Sequence, residues 1–210
     1  MTVFARKFMI AAVVATALGN SVALAQSPDG APPVPANIEV QAGNTLFLKG
    51  AARGTQNYIC LPTGPGFAWT FFSPQATLFF TFKLFGIDSR RQIVTHFLSP
   101  NPEEHGTPRA TWQSSIDTSA VRARIAVNGV STDPNFVAPG AIPWLLLEQV
   151  GTQRGPTGGD LLAHTTFIQR LNTSGGVAPS TGCSAPANIG ATALVPYSAD
   201  YFFFKKAATN

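Results

Sequence analysis

The sequence is poor in charge and in sulfur: Asp, Glu, Lys and Arg make up 11% of its 210 residues, and it holds two cysteines and two methionines. With Cys60 and Cys183 so far apart there is no Cys-x-x-Cys pair and no thiol cluster, which excludes a thiolate zinc site and a dithiol redox motif. There is no Gly-x-Ser-x-Gly elbow, no Gly-Lys-Ser/Thr phosphate loop, and no glycine-rich turn between a strand and a helix. The usual marks of α/β-hydrolases, nucleotide triphosphatases and dinucleotide enzymes are therefore missing. The basic pairs Arg90-Arg91, Arg122/Arg124 and Lys205-Lys206 are scattered, and no run of cations exists to follow a phosphate backbone, so nucleic acid is not an expected partner. No apolar run reaches the roughly 20 residues that a membrane-crossing helix needs, and stable membrane insertion is not expected.

The first residues have a different character. Arg6 and Lys7 precede an apolar run over residues 8–18, and Ala23-Leu24-Ala25 follows, a pattern that predicts a secretory signal peptide cleaved after Ala25. Residue 26 is Gln and not the cysteine that a lipoprotein needs. Cleavage would leave 12 basic against 10 acidic residues, close to neutral. The expected destination is the periplasm or the extracellular space. An even pair of cysteines in such an oxidising compartment favours a Cys60–Cys183 disulfide. Residues 26–37, rich in proline, read as an extended lead-in, and 38–210 as a single domain.

Helical periodicity is hard to find in that domain, while runs of Val, Ile, Thr, Phe and Tyr recur between Gly, Pro and Asn. The expected fold is all-β, a sandwich or a closed barrel with long loops, with strands over 45–49, 55–61, 68–72, 77–82, 92–98, 110–114, 120–128, 144–150, 161–172 and 197–206. VRARIAV (121–127) alternates cleanly and should have one dry face. WLLL (144–147) and FFF (202–204) are apolar on consecutive positions, as in strands covered on both sides.

Candidate chemistry is sparse. His96 and His164 are the weak metal candidates, since their spacing makes neither a helical pair nor a His-x-His strand pair. No catalytic residue and no cofactor are assigned. On a strand over 161–172, His164, Thr166, Arg170 and Asn172 would stand in a row about 6–7 Å apart on one face, a pattern suited to recognising a polar ligand or to meeting solvent. Arg170 is the first choice among them, with Trp69 and Trp112 as apolar walls.

GTQNYIC (54–60), Trp69, SPQATL (73–78), IPWLLL (142–147), FIQRLNTSGGVAP (167–179) and VPYSADYFFF (195–204) together resemble the exported family catalogued as domain of unknown function 3455 (DUF3455). The resemblance implies export and no established activity. SPNPEEHGTPR (99–109) stands where relatives are compact. Three functions remain open: a non-catalytic module that binds a small molecule, glycan or protein; a secreted, metal-assisted hydrolase using His96 or His164; and a structural envelope or surface protein.

Overall fold

The computed structural model describes residues 30–208, so the signal peptide expected over 1–25 lies outside the described residues. Eight antiparallel strands follow one another around a closed barrel. They are β1 (Asn44–Thr63), β2 (Gly66–Leu84), β3 (Ile87–Asn101), β4 (Thr107–Ser114), β5 (Ala120–Ser131), β6 (Trp144–Gln153), β7 (Thr165–Gly175) and β8 (Thr192–Lys206). The barrel closes where β8 returns to β1, in a ladder that runs from Asn44 opposite Lys206 to Ile59 opposite Thr192. Of the two all-β expectations, the barrel is the one observed. Helical structure among the described residues is limited to three 3-10 turns of three residues each.

Ten expected strands become eight because β1 and β2 are long and continuous through residues that usually punctuate. Gly54 lies so close to β2 that a Cβ would collide with the Gln75 carbonyl, so it marks tight strand packing and not a turn. Pro74 sits within β2 next to the register shift at Asn57/Tyr58, where the ladder can spare a donor. At residues 99–109 the strands simply continue into a tight hairpin. Glu104 receives bonds of 2.7 and 2.6 Å from Arg109 and one of 2.7 Å from Asn101, and its carboxyl is held down at about 2, chiefly by the Arg109 bond.

Two apolar clusters explain the consecutive hydrophobic runs. Leu145, Leu147, Ile168, Tyr201 and Phe203 fill the lumen with Leu78, Val94, Trp112 and Val121. Their sequence neighbours Trp144, Leu146, Phe202 and Phe204 point outward into a second cluster with Ile38, Val137, Phe167 and Leu171. Both faces of β6 and β8 are therefore covered. The end of the proline-rich lead-in and the residue after it provide some of that cover: Ala31 and Val34 pack on this cluster, Ile38 is fully buried and its carbonyl accepts from Gln169 Nε2 at 2.7 Å, and Asn37 donates to the carbonyls of Asn128 and Val130.

Cys60 and Cys183 form the expected disulfide. It ties the 176–191 connection to the end of β1, beside the barrel seam. Trp69 Nε1 donates to the Thr181 carbonyl at 2.8 Å and Gly182 lies against its ring, so this tryptophan backs the disulfide loop.

Candidate functional site

β6, β7 and β8 set Leu145, Arg170 and Tyr201 side by side across the sheet. Arg170 shares the inward parity of Ile168, and it reaches a cavity of about 130 Å³ in the barrel lumen. Phe71, Pro74, Leu98, Ile125, Leu145 and Leu147 provide apolar wall, while Gln56, His96, Trp112, Arg170 and Tyr201 bring polar groups. Phe71 and Ile125 are themselves exposed, at 45% and 48%, so they stand at a mouth.

The polar groups are mostly donors, and several lack acceptors. Arg170 Nη2 donates to the Pro143 carbonyl at 2.9 Å, the guanidinium also lies against the Tyr201 hydroxyl and the Gln56 amide against that of Tyr197, but Arg170 Nε, Gln56 Nε2 and Trp112 Nε1 are buried and make no well-formed hydrogen bond among the described residues. Six buried side-chain atoms are in that state, and half of them line this one cavity. No described carboxylate lies within ion-pair distance of Arg170. An orphaned buried donor costs about 1–3 kcal/mol, and the partly buried Arg170 cation, without a counter-ion, adds to that cost. The arrangement is suited to an acceptor-rich anion.

Around the cation the other titratable groups stay neutral. Burial pushes the Tyr58, Tyr197 and Tyr201 hydroxyls up, opposed in each case by the positive charge of Arg170. The Tyr58 hydroxyl donates to the Gly176 carbonyl at 2.6 Å, and Tyr197 and Tyr201 share a 3.2 Å bond. At Gly176, with φ at +82°, a Cβ would press against Ile142, Tyr197 and Gln56 at 3.0–3.1 Å. Glycine at this position, just after β7 ends at Gly175, thus lets the chain pass close to the site.

His96 lies stacked on Trp112 with ring centroids 4.2 Å apart, and its Nδ1 donates to the Thr111 carbonyl at 2.9 Å. Burial is the main reason its imidazole is held down at about 3; the Thr111 bond opposes the shift and Arg170 adds to it. The unfolded chain takes this proton near the ordinary value of about 6.5, whereas the native state refuses it until about 3. Stability should therefore fall with pH between those limits, by about 1.4 kcal/mol per pH unit once the unfolded histidine is protonated. Asp117, whose burial is outweighed by bonds from Leu161, Ser119 and Ser114, is held at about 2, as is Glu104, and both act only below about pH 4. Calorimetry between pH 7 and 4.5 should show the slope in the wild type and lose most of it in His96→Gln.

The other sequence candidates lie elsewhere. Residues 161–164 form a turn and not strand, because Asp117 and Ser119 hold the amides of Leu161 and Leu162 and Ala163 bonds back to Asp160. His164 is exposed there, 3.2 Å from Asp160, and faces a surface hollow with Lys205 and Lys206. Thr166 sits at a register shift and donates to Asn44 at 2.7 Å. Asn172 takes φ +52° at the next shift and donates to Asp200 at 3.0 Å. Of that row only Arg170 enters the lumen, and of the two tryptophans only Trp112 does. His96 and His164 share no pocket, and the described residues contain no group of three His, Cys, Asp or Glu that could hold a metal. Gln56, Tyr58 and Tyr201 went unsuspected; the signal available was their place in the GTQNYIC and YSADYFF motifs.

No curated protein and no solved structure matches the chain. The segments that carry the family resemblance, IPWLLL, FIQRLNTSGG and YSADYFFF, meet in space around Arg170, and the family profile matches residues 41–205, nearly the entire described barrel: the chain belongs to the family described as Protein of unknown function (DUF3455).

Proposed function

We propose that the protein is an exported binding module whose barrel lumen takes a small organic acid and performs no covalent chemistry on it. The supporting observation is Arg170, a cation with no carboxylate partner among the described residues, in a largely apolar cavity with two further orphaned donors. The carboxylate would meet Arg170, with Gln56 and Trp112 offering N–H groups, and an apolar body would lie against Leu98, Leu145 and Leu147. Size limits that body: an apolar cavity of about 150 Å³ accommodates benzene, and this one is of similar volume. Benzoate and short fatty acids of about the length of hexanoate are the ligand class that fits.

A lumen packed with apolar side chains differs from the polar interior of membrane-spanning barrels. Among the described residues no helix is long and apolar enough to cross a membrane. Cleavage after Ala25 and release into the periplasm or the extracellular space complete the proposal.

Titration calorimetry with benzoate and hexanoate, against benzyl alcohol and hexanol as uncharged counterparts, tests the reading. Binding of the acids at least about tenfold tighter than of the alcohols is expected, since a charge-assisted pair contributes about 1.5–3 kcal/mol. Equal binding, or none by any acid, would remove the basis for the site.

A further inference from the structure

The long hairpin of β2 and β3 leaves the barrel. β1 last pairs with β2 at Phe79, whose partner on β3 is Gln92, and β4 first pairs with β3 at Val94, so residues 80–91 pair only with each other and form a projecting two-stranded arm. Almost every side chain along it is exposed. Its turn is Phe85-Gly86, both at positive φ, a place where Asn or Gly would cost nothing. Phe85 is 96% exposed there.

The arm has two unlike faces. Directly paired residues share a face, and the ladder sets Phe80 opposite Arg91, Phe82 opposite Ser89 and Leu84 opposite Ile87. Phe80 and Phe82 stack with centroids 6.0 Å apart. The alternate pairs, Thr81 with Arg90 and Lys83 with Asp88, make the other face polar. Lys83 is paired with Asp88 at 3.3 Å, while Arg90, Arg91 and nearby Arg53 meet no described carboxylate. The arm therefore has an aromatic face, an apolar point and a net positive charge.

We propose that this arm docks the protein on an anionic lipid surface, seating Leu84, Phe85 and Ile87 at the boundary of headgroups and acyl chains while Arg90 and Arg91 meet the headgroup charges. A few side chains on a narrow tip offer far less than the roughly 800 Å² per partner of a stable protein interface, whereas a bilayer closes around a point. Depth is limited by the arm itself, since its outer edges carry unpaired backbone groups that must stay hydrated. Attachment is peripheral and reversible, and its direction is opposite to the cavity mouth: the arm's tip and the Phe71 rim lie toward opposite ends of β2.

Co-sedimentation with vesicles of phosphatidylglycerol and phosphatidylcholine, and of phosphatidylcholine alone, tests this on the mature chain. The mixed vesicles are expected to bind, with salt sensitivity, and the variant Leu84→Ser/Phe85→Gly/Ile87→Ser to bind at least about tenfold less. These positions touch no core, so an unchanged circular dichroism spectrum keeps the comparison valid. Arg90→Glu/Arg91→Glu should abolish the preference for the anionic vesicles. Absence of wild-type binding, full binding by the triple variant, or equal binding to neutral vesicles would each overturn the proposal. So would self-association that the triple variant dissolves without any vesicle binding, which would make a second copy the occupant of the tip.

Discussion

Replacing Cys60 and Cys183 together by serine is expected to lower stability by about 5 kcal/mol, a large effect for a change away from the two apolar clusters. The bond spans 123 residues, and closing so long a loop removes much of the freedom of the unfolded chain. Its location adds a native-state reason. The Cys60 amide donates to Ala191 and its carbonyl accepts from Gly190, so the bridge pins the chain just before it enters β8 and pairs with β1. That pairing is the most distant in sequence, and its register decides where Tyr197 and Tyr201 stand in the lumen. Chemical denaturation of the double variant should show the loss, with a fall in melting temperature of about 10–20 °C. A loss below about 1 kcal/mol would show that the β1–β8 ladder alone holds the seam.

How far the fold could be read in the sequence follows from which contacts are local. WLLL and FFF were legible as doubly covered strands because alternate residues must point to opposite sides, and both sides had to be dry. Val121 and Ala123 were legible as lumen residues by parity, but the register shift after Ile125 carried Val127 out to solvent, at 88% exposure. The arm had its own signal in Phe80, Phe82 and Leu84 at alternate positions followed by a Phe-Gly turn. Ending that strand at 82 missed it, since a turn with phenylalanine in the left-handed region runs against residue preference.

The candidate site was legible by residue and not by row. Arg170 could be picked from its own strand, where it shares a face with Ile168. The rest of the row failed to join it because β7 starts at Thr165 and has register shifts near both ends, so His164, Thr166 and Asn172 leave that face. Gln56, Trp112 and Tyr201 come from strands up to 145 residues apart, and only closure of the barrel brings them together. No periodicity within a strand encodes that.

Arg170→Met is expected to make the unliganded protein more stable and to abolish acid binding. Methionine has a flexible apolar chain of similar reach, suited to the wall formed by Leu98, Leu145 and Leu147. The change forfeits the bond to the Pro143 carbonyl, about 1 kcal/mol, and a weaker interaction with the Tyr201 hydroxyl, and relieves an orphaned Nε and a partly buried charge without a counter-ion, which together cost more. A net gain of about 1–2 kcal/mol follows, together with at least about 100-fold weaker binding of benzoate or hexanoate. Arg170→Lys keeps the charge and loses the planar fork, so it should fall between the two in affinity. Saturating acid should then reverse the order of stability: at a hundred times its dissociation constant a ligand adds about 2.7 kcal/mol to the wild type and nothing to the methionine variant. Melting curves of the three proteins with and without acid distinguish this from a structural arginine. A structural arginine would show as a methionine variant that melts earlier in both conditions; a cation retained for its ligand melts earlier than methionine only while the cavity holds no acid.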